Sequence, residues 1–234
     1  MMSNFFHDSR SASGELGCAA LQSDSHTYPP AVELFRQGAY PADVYFVQTG
    51  IVKFTRGEAN GQEILLDLRF PGSFVGSAAA ISEKPHPFAA VTVTQCTLSR
   101  WSARSFVSSL DTDTSLAARV RKILSNDILD HVARISQLTC LPARERLEHL
   151  LRQFCEQLGS ENLHRHSDRS ARLQLPLKQW EVAQFLAITP AYLCRLLAEL
   201  ESEEIIVRRN GWIIVGVAKP LTSRLTAQPT SFIT

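Results

Sequence analysis

The residues best placed to do chemistry lie between 178 and 200, in the run KQWEVAQFLAITPAYLCRLLAEL. Their types suit reading a nucleic acid rather than transforming a substrate. Two short helical patterns meet there at a tight break, LAIT. A helix-turn-helix needs a small residue where its helices cross, a tolerant residue in the turn, and apolar residues facing inward on both sides. Ala183 fills the first role and Ala187 the second, while Val182, Leu186, Ile188, Leu193 and Leu196 supply the packing face. Thr189 is a good N-cap, and Pro190 falls at the first helical position, where its missing N–H costs nothing. The second helix should start sharply, with Thr189, Pro190, Ala191, Tyr192 and Arg195 on the turn and face that a recognition helix directs at base edges. Of these, Arg195 alone can make the two-pronged contact to guanine N7 and O6. Lys178, Gln179, Arg208 and Arg209 suit phosphate contacts, which position a protein on the duplex without specifying sequence. Cys194, beside Arg195, serves as a small packing residue. Its oxidation would add bulk or charge near the phosphates, which makes it a candidate for redox control.

The segment IIVRRNGWIIV (205–215) predicts two strands joined at Asn210-Gly211, the pair that suits a type I′ hairpin. A helix-turn-helix followed by a hairpin is a winged arrangement. Electrostatics lend it little support. The chain carries a net charge of only +1, and from 172 to 216 five basic residues (172, 178, 195, 208, 209) face five acidic ones (181, 199, 201, 203, 204). The nucleic-acid reading therefore rests on local pattern, with the acidic residues 199–204 expected on the side away from DNA.

The elements that must position this motif come earlier in the chain. From 34 to 101, short apolar runs alternate with turn residues, as in an antiparallel β structure. The clearest strands are 44–48, 51–55, 64–68, 88–94 and 96–101, and the connections GEANGQE and FPGSFVG carry the glycines that turns require. A short helix follows at 102–110. No Gly or Pro then appears from Asp111 to Leu141. Leu116, Val120, Ile123, Leu124, Ile128, Val132, Ile135 and Leu138 fall mostly three and four apart, one stripe of a long helix with Asp111 and Asp113 at its start. The stripe either packs on the chain's own barrel or forms a coiled-coil-like dimer seam. The seam is the sharper expectation, since ~28 residues make a rod of about 40 Å that outruns a small barrel. Another helix runs from Pro142 through Leu158, and the polar 159–171 reads as a linker.

The 234 residues, 44% hydrophobic and 20% charged, suit two small soluble domains. No stretch approaches the ~20 apolar residues of a membrane span, and the first thirty residues lack the order of a secretion signal, so a cytoplasmic protein is expected. Five scattered cysteines (18, 96, 140, 155, 194) fit free thiols better than disulfides. His164 and His166, with His149 and Cys155, match no common metal-site spacing, so neither metal nor cofactor is expected. An enzyme reading would make the barrel a metal-dependent cupin, yet 34–101 holds a single histidine, His86. A pure protein-interaction module is the other alternative.

With barrel, long helix and winged helix-turn-helix in this order, the chain resembles the Crp/Fnr family of bacterial transcription regulators. The matching pieces are LFRQGAYPADVYFVQTGIVKF (34–54), FPGSFVG (70–76), the long helix, and EVAQFLAITPAYLCRLLAELE (181–201). The resemblance implies an α+β fold: a flexible arm (1–30), a jelly-roll-like cyclic-nucleotide-binding-like sensor barrel (31–110), a dimerisation helix (111–140), a winged helix-turn-helix (141–217) and a tail (218–234). It implies a homodimer on a near-palindromic operator in double-stranded DNA, with RNA polymerase as a protein partner. It also places an effector pocket near Gly76, Ser77, Phe88, Ala89 and, on the long helix, His131. Departures narrow the effector. Cyclic-nucleotide-binding relatives carry a Glu for the ribose and an Arg-Ser pair for the phosphate, where this chain has Gly76-Ser77 and Pro87-Phe88-Ala89. A buried phosphate without cation or hydroxyl is strongly unfavourable, so cyclic AMP is not the expected ligand. The oxygen-sensing branch needs clustered N-terminal cysteines, and here Cys18 stands alone in that region. A lone axial ligand leaves a haem sensor as an alternative. Ala191 replaces the acidic residue that often pairs with cytosine, so the operator should differ from those of the best-known members.

Overall fold

A computed structural model describes residues 24–59, 61–162, 171–173, 175–209 and 212–215. The N-terminal half is built from β1 (Asp24–Tyr28), β2 (Glu33–Phe35), β3 (Asp43–Thr49), β4 (Val52–Gly57), β5 (Glu63–Arg69), β6 (Phe74–Val75), a short helix α1 (Ser77–Ser82), β7 (Ala89–Thr92) and β8 (Cys96–Ser102). These strands form two four-stranded antiparallel sheets, ordered β1-β8-β3-β6 and β2-β7-β4-β5. Inward residues of both sheets, including Tyr45, Val47, Val52, Phe54, Val75, Ala90, Cys96 and Leu98, form the barrel core. The β3–β4 connection turns on Gly50, at φ 88°. A Cβ there would stand 2.4 Å from the Gln95 carbonyl and 2.6 Å from Cys96 Sγ, so only glycine fits.

Two expectations for this half need correction. Residues 24–28 are not part of an arm: they add a strand to the sheet edge, paired in register with β8 from Asp24↔Arg100 to Tyr28↔Cys96. The strand expected over 88–94 is shorter, because Phe88 leaves the ladder to stack on Phe54 at 4.2 Å.

After β8 come α2 (Ala103–Thr112) and the long helix α3 (Thr114–Cys140). Asp113, not Asp111, caps α3: its Oδ1 accepts from the Leu116 N–H at 2.9 Å. Asp111 belongs to α2. The barrel-packing reading holds for the first half of the helix only. Leu116 and Val120, with Ile123 and Leu124, pack on Val44, Phe74, Trp101 and Phe106 at the barrel's end. Ile128, Val132 and Ile135, at the same helical spacing, are 64%, 59% and 62% exposed, and Leu129 is 56% exposed beside them.

The C-terminal half comprises α4 (Ala143–Asn162), β9 (Ala171–Leu173), α5 (Gln179–Phe185), α6 (Pro190–Ser202), β10 (Ile206–Arg209) and β11 (Trp212–Val215). Helix α4 runs beyond the expected end at Leu158, and the supposed linker ends in a strand that pairs with β11. The wing is thus three-stranded, ordered β10-β11-β9. Asn210 and Gly211, His164 and His166, Cys18, and the tail 218–234 lie outside the described residues. Arg146 Nη1 joins α3 to α4 by donating to the carbonyls of Leu138 and Leu141, both at 3.0 Å, near the end where helical partners run out.

The C-terminal core does not stop at its own domain. Leu147, Leu150, Leu151 and Phe154 of α4 share one apolar cluster with the helix-turn-helix leucines and with Ile51, Leu65 and Leu68 of the barrel. Phe154 is fully buried in that cluster and meets Phe70 at 6.1 Å between ring centroids. Phe154→Ala should cost about 3–5 kcal/mol, read from denaturant unfolding at fixed protein concentration.

Candidate nucleic-acid interface

The recognition helix forms for the reasons its sequence suggests. Thr189 adopts extended backbone at the N-cap and its Oγ1 accepts from the Tyr192 N–H at 3.2 Å, while Pro190 opens the helix. Leu193, Leu196, Leu197 and Leu200 repeat at helical spacing and are buried. Thr189, Pro190, Ala191, Tyr192, Cys194 and Arg195 are left on the exposed side. Arg195 lies over the Tyr192 ring at 5.0 Å, one turn away, an arrangement that limits its rotamers before any partner arrives. Ala187 takes the turn with φ 52°, a left-handed conformation that costs a non-glycine residue about 1–2 kcal/mol.

Helix α5 lies across α6. Lys178 is its N-cap, and Glu181 accepts from the Lys178 N–H at 2.8 Å, the reciprocal half of a capping box. The ammonium of Lys178 cannot complete the box, having no acceptor; it sits 5.9 Å from the Trp180 ring. Gln179 is exposed and reaches α6, where its Oε1 accepts from the Cys194 thiol at 3.8 Å. The wing follows α6 directly. Arg208 is bound to Glu201 by its backbone N–H (3.1 Å), Nε (2.8 Å) and Nη2 (2.7 Å). Its guanidinium is therefore held by protein rather than free toward a phosphate. Arg209 pairs with Trp212 in the β10–β11 register.

The acidic residues that make the module neutral are mostly engaged. Glu201 holds Arg208, Glu203 takes both terminal nitrogens of Arg144 on α4, and Glu181 is buried, 4% exposed, in an ion pair with Lys53 of β4. Pairing removes their repulsion from the face beside Arg195.

Sequence reasoning missed the residues that hold this module to the rest of the chain. Besides Lys53, they are Asp67 and Arg69 on β5, Arg134 on α3, and Gln184 and Phe185 on α5. Strand β5 is the edge of its sheet. The Gln184 side-chain amide covers that edge, accepting from the Leu65 N–H at 3.1 Å and donating to the Glu63 carbonyl at 3.2 Å. A signal did exist: a lysine and an aspartate inside otherwise apolar strand runs, and a glutamate three residues after a helix start.

The pocket candidates are only partly brought together. Gly76, at φ 88°, precedes α1, and a Cβ there would meet the Phe35 and His86 rings at 3.3 and 3.5 Å. Those two rings stack at 3.6 Å, Phe88 stacks on Phe54, and Ala89 pairs with Thr55 on β4. Ser77 is buried at the start of α1. His131 instead faces β5, its Nε2 3.2 Å from Asp67 Oδ2.

A cyclic-nucleotide-type barrel joined through one long helix to a winged helix-turn-helix defines a DNA-binding transcription regulator. Residues 25–113 match the cyclic nucleotide-binding domain and residues 145–219 the Crp-like helix-turn-helix domain, and the chain belongs to the Crp/Fnr family. It is 26% identical over 198 residues, 83% of this chain and 82% of the other, to the nitrogen fixation regulation protein FixK of Rhizobium meliloti (strain 1021). Among solved structures, FixK2 from Bradyrhizobium japonicum superposes with a TM-score of 0.69 at 18% identity, covering 83% of this chain and 93% of that one. The c-di-GMP-responsive global regulator CLP of Xanthomonas campestris gives 0.65 at 22% identity, covering 84% and 95%. Among the described residues, no helix is long and apolar enough to cross a membrane.

His131 gives the barrel–helix junction a pH dependence. Its hydrogen bond to Asp67 holds the imidazole above its ordinary value of 6.5, against burial. Burial favours protonating Asp67, but His131, Arg69 and Arg134 together keep its carboxyl below the ordinary range. The charged groups around the imidazole are Asp67 and Arg69 from β5 and Asp127 and Asp130 from α3. A raised histidine contributes stability that is full below its unfolded value and lost as pH climbs through the folded one. Thermal melting of wild type and His131→Gln should therefore differ most below pH 6.5 and converge in alkaline buffer.

Proposed function

We propose that the chain acts in the cytoplasm as a homodimer, placing two α6 helices in successive major grooves of a near-palindromic operator and acting on transcription by RNA polymerase. The observation that carries this reading is the two-sidedness of α6. Its leucines are buried, while the N-terminal turn from Thr189 to Tyr192, and Arg195 beyond it, face solvent on a helix capped by Thr189. Arg195 reads guanine; Thr189, Pro190, Ala191 and Tyr192 shape the rest of the readout. Lys178, Gln179 and Arg209 take phosphates, and Arg208 would have to exchange Glu201 for one.

The dimer reading is supported by the exposed half of the α3 stripe. Four large apolar side chains on one surface of a helix are seldom left to water in a soluble monomer. A second copy of the same stripe covers them by two-fold symmetry.

The effector reading excludes cyclic AMP. Phe88 occupies the segment where the resemblance puts a phosphate-binding pair, and it is committed to Phe54. Gly76, Ser77 and Ala89 bring neither cation nor carboxylate. Cys194, exposed on the recognition face, is the redox candidate.

Selection from random duplexes should return a two-fold-symmetric motif, and Arg195→Ala should lose about 1–3 kcal/mol of discrimination at one base position per half-site. Recovery of no motif by the intact protein would defeat the proposal. Substituting Ile128 and Ile135 together by Glu should halve the mass in sedimentation while the barrel stays folded. Calorimetry with cyclic AMP should give no saturable heat. Peroxide should weaken operator binding by the wild type and leave Cys194→Ser unaffected.

A further inference from the structure

A helix that ends in a tight turn leaves its last carbonyls without helical partners. In α5 the carbonyls of Val182, Ala183 and Gln184 accept from the N–H groups of Leu186, Ile188 and Ala187. The Phe185 carbonyl is met from outside the domain, by Arg134 Nη2 at 3.4 Å. The same guanidinium sits over the Phe185 ring, its carbon 3.4 Å from the centroid, and sends Nη1 to Asp67 Oδ1 at 3.1 Å. One planar side chain on α3 thus caps the turn of the helix-turn-helix, stacks on its last ring, and is anchored to the barrel.

We propose that Arg134 is a positioning residue for DNA recognition: it fixes the angle between the long helix and the helix-turn-helix, and so the separation of the two recognition helices. Arg134 adjoins Ile135 and lies two residues from Val132, both on the exposed stripe. The element that would lie on the dimer axis therefore also carries the contact that orients the reader. Half-site spacing is a geometric property of the dimer, so a loosened angle relaxes spacing rather than base preference. A lysine cannot substitute, because an ammonium neither stacks flat nor forks to two acceptors. Asp67 has a supporting part: its other oxygen faces His131 and Arg69, so the carboxylate that holds Arg134 is itself held.

The inference rests on the proposed dimeric reading, and the test has one arm that does not need DNA. In the 234-residue chain with Cys18, Cys140 and Cys155 replaced by serine, nitroxides on Cys194 and on Lys84→Cys report the reader–barrel distance by electron dipolar spectroscopy, with unlabelled protein in excess. Wild type should give one narrow distribution; Arg134→Ala and Arg134→Lys should broaden or shift it, and Phe185→Leu, which removes the stack from the other side, should do the same. In the second arm, duplexes whose half-sites are moved apart by one base pair should weaken wild-type binding by about tenfold and the Arg134 variants by clearly less. Distance distributions and spacing preference unchanged in all three variants would overturn the proposal. If wild type selects no two-half-site duplex, the dimeric reading fails, and the distance measurement still decides whether Arg134 orients the reader.

Discussion

Asp67 has two carboxylate oxygens and three cationic neighbours to divide between them: Arg69 from its own strand, His131 and Arg134 from the long helix. A carboxylate removed from water survives as an anion only if its partners replace the lost hydration. Here they do, and the replacement ties together parts of the chain far apart in sequence. Arg69 reaches on to Asp127, and it also lies 5.1 Å over the ring of Phe54, the residue that receives Phe88 inside the barrel. Arg134 reaches on to Phe185 at the turn before the recognition helix. A continuous line of contacts thus runs from barrel interior to DNA reader, with the Asp67 carboxylate at its middle.

This arrangement explains why the C-terminal domain shares its apolar core with the barrel. Helix α5 has seven residues, too few to be stable in isolation. Its inner face needs Leu65 and Leu68 as well as the leucines of α4 and α6. Lys53 then meets the Glu181 carboxylate, and Gln184 the Leu65 N–H and the Glu63 carbonyl, at that junction. Glu181 serves twice, capping its own helix with one oxygen and meeting Lys53 with the other.

Local signals were legible in the sequence where local physics decides the outcome. Thr189-Pro190 specified the start of the recognition helix, and the spacing from Leu116 to Leu138 specified a long helix. The division of that helix into a buried and an exposed half was not legible, since periodicity records only which residues share a face, not what covers it. Strands β1 and β9 were missed because DSHTY and ARL carry little apolar pattern; their ladders with β8 and β11 come from tertiary pairing. The resemblance places His131 near an effector pocket but does not announce its partner, Asp67 on β5. Nothing in the spacing of residues 67, 131, 134 and 185 could announce that they meet.

The grip of Glu201 on Arg208 has a consequence for how the reader responds to its medium. The pair joins the last turn of α6 to wing strand β10, and both side chains are more than a third exposed. Dissolved ions screen such an exposed pair as they screen protein–phosphate attraction. Rising ionic strength would then act twice, once by weakening the hold on the duplex backbone and once by loosening the joint between recognition helix and wing. Part of any measured salt dependence would belong to the shape of the protein itself, beyond the displaced counterions.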